Sequence, residues 1–313
     1  MRTEHPLRRH VTARAKPEVR RVVNRAVRRF GYQLYEPEHF EVILRSYYSP
    51  LPDFEHFAVD PWAGPAELPG VDLRVEAAIA LLTGDLRPYL DSFRPPLRAE
   101  DAAPGAFYIA NGSYESVDAE ILYAMVRYSR PQRVVELGSG ASSHVIAAAA
   151  ADAAADGTRF DHDIFDPYPF EAAVFGPVVG ATTLPHRAED VDLEIFEHLK
   201  AGDIVFVDTT HTVKTGGDVN RIFLEILPRL APGVLVHVHD IFLPYEYPRH
   251  WIVDEMRLWA EQYLLQAFLA FNSAFEVVFP AQAVTRAAPD LVKELIPSLT
   301  PTTSPGAFWM RRL

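Results

Sequence analysis

Apolar and polar positions change their spacing along the chain near residue 116. Before that point, apolar residues at helical spacing predict a helix over Val19–Phe30, with Gly31 as its C-terminal cap, and a second helix over Val71–Thr83. Residues Pro50–Gly70 are rich in proline, aspartate and aromatic residues, which is typical of an irregular connection. The first part of the chain therefore predicts two helices and a long loop.

After residue 116, short apolar runs alternate with segments of helical spacing. The apolar runs predict strands over Arg133–Leu137, Arg159–Phe165, Thr182–His186, Asp203–Val207, Val234–His239, Phe275–Phe279 and Ala307–Arg311. The other segments predict helices over Val117–Tyr128, Ser142–Ala155, Leu193–Lys200, Val219–Leu230 and Trp251–Phe271. Strands that alternate with helices indicate parallel βαβ units, so we expect an α/β fold with an open, doubly wound sheet.

The same patterns divide the chain into three regions. Residues 1–31 form a predicted basic helical arm, residues 32–115 an N-terminal extension or cap, and residues 116–313 the core. In the arm, basic residues far outnumber Glu4 and Glu18, which suits an anionic membrane surface, an acidic partner or RNA. The alternative is a solvated helix that packs a stripe of valines on a neighbour, since charged runs are usually solvated faces.

Composition excludes several classes of site. The chain has 313 residues and no cysteine, so disulfides, thiolate metal sites and cysteine nucleophiles are excluded. The net charge of -12 argues against a nucleic-acid-binding face over the whole protein, because phosphate binding needs clustered positive charge. No apolar run reaches the roughly 18 residues of a transmembrane helix, and the N-terminus lacks a secretory pattern. We expect a cytoplasmic protein without a transmembrane segment, and association with a second copy stays open.

A glycine-rich turn follows the first predicted strand of the core. In open parallel sheets, ligands bind beyond the carboxyl ends of the strands, so the residues at these ends are the candidates. Here Glu136 precedes Gly138, Ser139 and Gly140, and the two glycines allow a tight turn and close approach of the backbone to a ligand. Because position 143 is a serine, the turn departs from the three-glycine dinucleotide pattern. The turn therefore indicates a cofactor loop only together with the acidic residue and the predicted strand that precede it.

Two aspartates follow the next two predicted strands. Asp166 stands where a carboxylate accepts both ribose hydroxyls in dinucleotide folds, although an Asp-Pro pair is also a common turn and Asp161 and Asp163 lie nearby. Asp190 is placed to accept a hydrogen bond from an adenine amino group, or to cap the helix that follows. Both residues are candidate cofactor contacts.

An acid and an imidazole follow each of the next two strands. Asp208 and His211 come after one, and His239 and Asp240 after the other, so four side chains are expected at one rim. Asp208, His239 and Asp240 offer oxygen and nitrogen ligands for Mg²⁺ or another divalent ion. The alternative is a general base, His211 or His239, with Asp240 beside it, and a structural histidine is the third reading. We interpret His237, one pleat deeper in the strand, as structural.

At these residues the sequence resembles the class I S-adenosylmethionine-dependent methyltransferases, and among them the small-molecule, macrocin-type O-methyltransferase-like branch. The resemblance covers roughly residues 116–313. The stretches that carry it are Val134–Gly140, Asp203–His211, Leu230–Ile241 and the closing Ala307–Met310. In the metal-dependent sugar branch, an Asp-Asp pair occupies the place of His239 and Asp240, so this chain departs from the family pattern at its expected metal site.

The resemblance implies a Rossmann-like, seven-stranded sheet and methyl transfer from S-adenosylmethionine. The family roles carry over to Glu136, Gly138 and Gly140 at the methionine portion, to Asp166 at the ribose, and to Asp190 near the adenine. The expected acceptor is a small molecule, with a hydroxyl as the methylated group. Aromatic and polar residues outside the core strands are candidates for its pocket: Tyr108, Asn111, Tyr114, Glu115, Tyr245, Tyr247, Trp251, Glu261, Gln262 and Tyr263.

Two other functions remain open at the level of sequence. One is another nucleotide-dependent enzyme, such as an NAD-dependent dehydrogenase, against which the missing third glycine speaks. The other is a non-catalytic protein that keeps the fold and uses its basic arm to dock on a partner or membrane. Fold alone does not name the methyl acceptor.

Overall fold

The computed structural model of the chain describes residues 32–35, 41–44, 48–49, 51–53, 57, 59–168 and 175–313. The chain divides into two compact units, and the larger unit comprises Pro61–Tyr247 and Trp259–Leu313. The predicted arm over residues 1–31, with its helix at Val19–Phe30, lies outside the described residues. Within the described part of the chain, no helix has both the length and the apolar character needed to cross a membrane.

The smaller unit combines residues from the first 60 positions with Pro248–Leu258. Its described elements are an antiparallel pair of strands, β1 (Tyr32–Tyr35) and β2 (Glu41–Leu44), and a short helix, α7 (Arg249–Val253). The sequence analysis missed both strands, because each has only four residues and too few positions to establish a two-residue period.

A seven-stranded sheet forms the centre of the larger unit. Its strands are β3 (Arg133–Leu137), β4 (Asp161–Phe165), β5 (Thr182–Leu184), β6 (Ile204–Val207), β7 (Leu235–Val238), β8 (Phe275–Pro280) and β9 (Phe308–Arg312). They are arranged in the order β5-β4-β3-β6-β7-β9-β8. β9 pairs antiparallel with both β7 and β8, and the other strand pairs of this sheet are parallel. The predicted Rossmann-like, mostly parallel sheet is confirmed, and its order reverses beside β3, where such folds bind ligands.

Helices cover both faces of this sheet. They are α1 (Val75–Thr83), α2 (Arg87–Ser92), α3 (Asp118–Ser129), α4 (Ala141–Ala155), α5 (Leu193–Glu197), α6 (Asp218–Arg221), α8 (Glu261–Leu269), α9 (Ala281–Ala287) and α10 (Pro289–Leu295). After α6 the chain continues through a π-helical turn, Ile222–Ile226, and a 3₁₀ turn, Leu227–Arg229.

The central strands are buried on both faces because their alternate residues enter two separate apolar cores. Val134 and Phe206 belong to the core beneath α1, α3 and α4, whereas Val135 and Val205 belong to the core beneath the Asp218–Arg229 segment and α8. This explains why these strands appear in the sequence as continuous apolar runs rather than as alternating ones.

The predicted long helix over Trp251–Phe271 is wrong. The structure has two helices there, α7 and α8, and they belong to different compact units. Met256, between them, has a φ of 59°, a left-handed conformation that an α-helix does not contain. The apolar spacing continues across this break, because both helices bury an apolar side, so periodicity alone could not reveal it.

Candidate functional site

A cavity of about 670 Å³ opens at the carboxyl ends of the central strands. Residues after β3, β4 and β6 line it together with residues from the loops before α3 and after β5. The lining includes Asn111, Gly112, Ser113, Gly138, Ser139, Phe165, Asp166, Tyr168, Phe175, Arg187, Ala188, Glu189, Asp208, Thr210, Lys214 and Asp218. Its volume suits a drug-sized ligand, and its walls mix apolar rings with a few convergent polar groups.

Gly138 is the residue at which the turn after β3 requires glycine. Its φ is 86°, and a methyl group at its Cβ position would overlap the main-chain oxygen of Asp208. The Gly138 N–H donates to the Phe165 carbonyl (2.9 Å), and the Asp208 N–H donates to the Leu137 carbonyl (2.9 Å), so three strand ends meet at this glycine. Gly138 is therefore needed for the junction of β3, β4 and β6 as well as for the cavity.

Asp166 follows β4 and lies on the cavity wall. One of its carboxylate oxygens accepts hydrogen bonds from the Ser139 N–H (2.9 Å) and hydroxyl (2.5 Å), and the other accepts one from the Tyr168 N–H (2.6 Å). An ionised carboxylate has about four acceptor sites, so these three bonds fix the side chain and leave capacity for a ligand. The structure thus brings Gly138, Ser139 and Asp166 together on the cavity wall, and their contact with a cofactor stays a prediction.

Glu136 lies behind the glycine-rich turn and has no exposed surface. One of its oxygens accepts hydrogen bonds from the hydroxyls of Ser142 (2.8 Å) and Ser143 (2.9 Å), and the other lies 2.7 Å from His162 Nε2. Ser143 also accepts a hydrogen bond from the Gly140 N–H (3.1 Å). Glu136 therefore anchors the start of α4 to β3, and its predicted direct contact with a cofactor has no support in this geometry.

Two further cofactor predictions are modified by the structure. Gly140 has a φ of -173°, an extended conformation that any residue adopts, so the conformational requirement is at Gly138 alone. Asp190 is exposed, while its neighbour Glu189 lines the cavity. The helix that follows is capped by Asp192, whose carboxylate accepts a hydrogen bond from the Glu194 N–H (3.1 Å), so Asp190 does not cap it either. Of these two acidic residues, Glu189 is the one that lines the cavity.

Asp208, His211 and Asp240 form a buried cluster next to this cavity. His211 Nε2 lies 3.2 Å from Asp208 Oδ1 and 3.4 Å from Asp240 Oδ2, and its Nδ1 lies 2.8 Å from Glu261 Oε2. The exposed fraction of the Asp208 side chain is 31 %, against 6 % for His211 and 0 % for Glu261. Asp208, which lines the cavity, is therefore the member through which the cluster reaches it.

Neighbouring elements hold the loop that carries Asp208 and His211. Asp218, at the start of α6, accepts hydrogen bonds from the N–H (2.8 Å) and hydroxyl (2.7 Å) of Thr210. The His211 carbonyl accepts the Ala260 N–H (2.9 Å), which ties the loop to the start of α8. His211 and Asp240 have φ values of 55° and 56°, and such left-handed conformations in non-glycine residues are typical of functional sites.

Electrostatic interactions inside the cluster shift several pKa values. Burial raises the pKa of the Asp208 carboxyl, but His239 and His211 outweigh this effect and bring the pKa to about 2. Burial lowers the pKa of the His211 imidazole, whereas its bonds to Asp208 and Glu261 and the charge of Asp240 raise it well above its ordinary value. Both ring nitrogens of His211 therefore lie within 3.2 Å of a carboxylate oxygen.

His239 lies at the edge of this cluster. Its Nε2 is 3.7 Å from Asp240 Oδ1, farther than His211 is from either aspartate, and its ring packs on that of Tyr114 with centroids 4.6 Å apart. His237 stacks on Phe206 (4.3 Å), and burial holds the pKa of its imidazole well below the ordinary value. His237 is therefore a neutral core residue in this structure.

The sequence analysis missed several cavity residues. Tyr168, Arg187, Lys214 and Asp218 all line the cavity, whereas of the residues predicted for the acceptor pocket Asn111 does so. Lys214 and Asp218 follow β6 beyond the Asp208–His211 segment, and a wider search after this strand could have included them. Tyr168 follows β4 two residues after Asp166, and Arg187 follows β5 two residues before Glu189, so a wider search at these strand ends could also have included them.

Comparison with known proteins bears on the segment that carries most of these residues. Residues 135–241, from β3 to just after β7, match the family model described as a methyltransferase domain. This match supports a methyltransferase family. The matched segment contains Gly138, Asp166, Asp208 and Asp240, so it includes residues of both the glycine-rich turn and the acid–imidazole cluster. An uncharacterised protein from Archaeoglobus fulgidus is 28 % identical over 178 residues, which are 54 % of this chain and 75 % of that protein.

Solved structures with a similar arrangement share little sequence with the chain. A candidate methyltransferase from Thermobifida fusca YX is 17 % identical, with a TM-score of 0.37 over 78 % of this chain and 95 % of the other. CmcI in its apo form is 16 % identical, with a TM-score of 0.38 over 82 % and 91 % of the two chains. Sequence identities and TM-scores this low support no functional assignment.

Proposed function

We propose that the protein transfers a methyl group from S-adenosylmethionine to a hydroxyl of a small-molecule acceptor. The observation that carries the proposal is the cavity itself. Its wall joins the Gly138 turn and Asp166, on the side suited to a nucleoside, to Asp208, through which the acid–imidazole cluster reaches the same space. This arrangement lies inside the segment that matches the methyltransferase domain.

The side of the cavity formed after β3 and β4 fits an adenosyl group. Asp166 is fixed by Ser139 and Tyr168 with acceptor capacity left for ribose hydroxyls, Glu189 is placed to accept from an adenine amino group, and Phe165 offers an apolar wall. When bound, S-adenosylmethionine supplies an electrophilic methyl group on its sulfonium, which an oxygen nucleophile takes by in-line displacement.

The side formed after β6 and β7 is the candidate for acceptor chemistry. Methyl transfer requires an oriented and deprotonated acceptor, and Asp208 is the cluster carboxylate that reaches the cavity. His211, His239 and Asp240 remain our candidates for catalytic groups that orient the acceptor hydroxyl and take its proton. Thr210 and Lys214 lie on the same wall and offer hydrogen bonds to the acceptor.

A divalent ion is compatible with the cluster, although the comparisons give no support to Mg²⁺ in particular. Potential ligand atoms of Asp208, His211 and Asp240 all lie within 4.8 Å of one another. The sequence analysis chose His239 as the third ligand, but the structure places His211 between the two aspartates. An ion held there would help to orient the acceptor hydroxyl and lower its pKa.

Calorimetry on the purified full-length chain tests the proposed function. We expect binding of S-adenosylhomocysteine and S-adenosylmethionine and none of NAD, because the turn lacks the third glycine of the dinucleotide pattern. Labelled S-adenosylmethionine with a panel of hydroxylated small molecules then tests the acceptor. If neither sulfur compound binds, or if NAD binds instead, the proposal is wrong.

A further inference from the structure

We infer that Asp208, His211 and Asp240 form a binding site that selects a divalent transition-metal ion over Mg²⁺, with Glu261 orienting His211. The use of this ion at an acceptor hydroxyl rests on the proposed function, but its binding does not. The assignment differs from the sequence expectation in the nitrogen ligand, which is His211 rather than His239, and in the kind of ion.

The two distances from His211 to the aspartates fit ligands of one ion. His211 Nε2 lies 3.2 Å from Asp208 Oδ1 and 3.4 Å from Asp240 Oδ2. Two ligands that each lie about 2.1 Å from a metal, at octahedral or tetrahedral angles, are roughly 3.0–3.4 Å apart. His239 Nε2 is 3.7 Å from Asp240 Oδ1, so His211 matches this geometry better than His239 does.

Glu261 supplies the interaction that metal-binding histidines commonly have behind them. Its Oε2 lies 2.8 Å from His211 Nδ1, and its side chain is completely buried. Metal-binding histidines usually donate their other ring N–H to a carboxylate or carbonyl, which fixes the ring and the tautomer. With Nδ1–H donating to Glu261, the lone pair of Nε2 points to the side of the ring where both aspartates lie.

The local charge also favours a cation. Three carboxylates, those of Asp208, Asp240 and Glu261, lie within 3.4 Å of the His211 imidazole, and His239 is a second imidazole at the edge of this cluster. Buried carboxylates without sufficient compensating charge are costly. A divalent ion on the two aspartates would compensate their charge, and Asp208, the more exposed of the two, lines the cavity.

The donor set determines which ion binds best. Mg²⁺ prefers oxygen ligands, whereas an imidazole nitrogen suits the later first-row metals. Affinity for mixed nitrogen and oxygen sites generally rises from Mn²⁺ to Co²⁺ along the first-row series. We therefore expect the order Mg²⁺, Mn²⁺, Co²⁺ from weakest to tightest.

Direct metal binding to the full-length chain, without cofactor or acceptor, tests the inference. Free Mn²⁺ is counted by electron paramagnetic resonance, and Mg²⁺ and Co²⁺ are used as competitors. We expect one Mn²⁺ per chain, displaced by Co²⁺ at a lower concentration than by Mg²⁺. Mg²⁺ that competes as well as Co²⁺, or the absence of Mn²⁺ binding, would overturn the inference on the unmodified protein.

Variants then identify the nitrogen ligand. His211→Asn should abolish Mn²⁺ binding and His239→Asn should retain it, with His198→Ala as a control because His198 is an exposed histidine on the protein surface. Glu261→Gln should weaken Mn²⁺ binding by about 10–100-fold, the usual effect of losing such a supporting partner. Circular dichroism checks that each variant is folded. Retained Mn²⁺ binding in folded His211→Asn would contradict the assignment.

Calorimetry with S-adenosylhomocysteine on the same preparations separates this inference from the proposed function. If Mn²⁺ binds and S-adenosylhomocysteine does not, the metal site stands and the proposed methyl transfer fails. If S-adenosylhomocysteine binds and Mn²⁺ does not, the metal site fails alone.

Discussion

The two sides of the cavity are built on different physical principles. After β3 and β4, the site consists of a turn whose conformation requires Gly138 and of an aspartate fixed by main-chain and hydroxyl donors. After β6 and β7, it consists of closely spaced carboxylates and imidazoles, among which His211 lowers the pKa of Asp208 and Asp208 raises that of His211. Asp208 belongs to both sides, since its main-chain oxygen faces Gly138 and its side chain faces His211.

This difference separates binding from chemistry. On the glycine side, the shape of the turn and the fixed hydrogen-bond acceptors of the aspartate would bind a ligand without a change in the protonation of any residue. On the acid–imidazole side, protons or a metal ion must balance several charges in a small volume. Changes on the first side should therefore act on cofactor affinity or on the fold, and changes on the second side should act on turnover.

The largest effect is expected for Gly138→Ala. The added methyl group would overlap the main-chain oxygen of Asp208 in a backbone conformation that alanine rarely adopts, at a cost of about 3 kcal/mol or more. We expect loss of S-adenosylhomocysteine binding together with a much lower melting temperature. Gly140→Ala is the matched control, because its extended conformation accepts a side chain. Equal melting temperatures for the two variants would show that the turn tolerates a side chain at residue 138.

Glu136→Ala should destabilise the fold by about 3 kcal/mol, because two serine hydroxyls and His162 lose a buried partner. Urea unfolding measures this loss. Glu197→Ala, which removes an exposed carboxylate paired with Arg229, is the control and should change stability little. A folded and fully stable Glu136→Ala protein with weak cofactor binding would instead return Glu136 to the role of a direct contact.

Asp166→Ala should weaken S-adenosylhomocysteine binding by about 1.5–3 kcal/mol, the range for a hydrogen bond that involves a charged group. Calorimetry measures the affinity, and Asp161→Ala serves as control because Asp161 is exposed and begins the same strand at its other end. Unchanged affinity in Asp166→Ala would remove this residue from the cofactor site.

Deletion of residues 1–31 should have the smallest effect. The described site residues all belong to Pro61–Tyr247 and Trp259–Leu313, and we predict that the arm is dispensable for the chemistry. We expect turnover on a small acceptor near the wild-type rate. A folded deletion variant without activity would mean that the arm contributes to the site.

The sequence predicted the sheet because its strands are strong local signals. Continuous apolar runs such as Ile204–Val207 are buried on both faces, and the turn residues after them lie where the fold places its cavity. The break between α7 and α8 could not be predicted, because it depends on the left-handed Met256 and not on apolar spacing. The long-range partners of the site were also out of reach, since Glu261 meets His211 across 50 positions of the chain.

The sequence could name the members of the acid–imidazole cluster but not their arrangement. His211 and His239 each follow a strand and are equivalent by pattern, and only the folded chain places His211 between Asp208 and Asp240. The same holds for Glu189 and Asp190, which are adjacent in sequence although only Glu189 lines the cavity.

The most direct test of the division between binding and chemistry is the affinity of Asp240→Asn for S-adenosylhomocysteine, measured by calorimetry beside its rate of methyl transfer to an acceptor found in the screen. Asp240 contacts His211 on the acid–imidazole side and is absent from the cavity wall on the glycine side. The account predicts an affinity near that of the wild type and a rate reduced by about 100-fold or more, because general acid–base catalysis typically contributes roughly 10²–10⁴-fold. Loss of S-adenosylhomocysteine binding with an unchanged fold, or an unchanged rate, would contradict it.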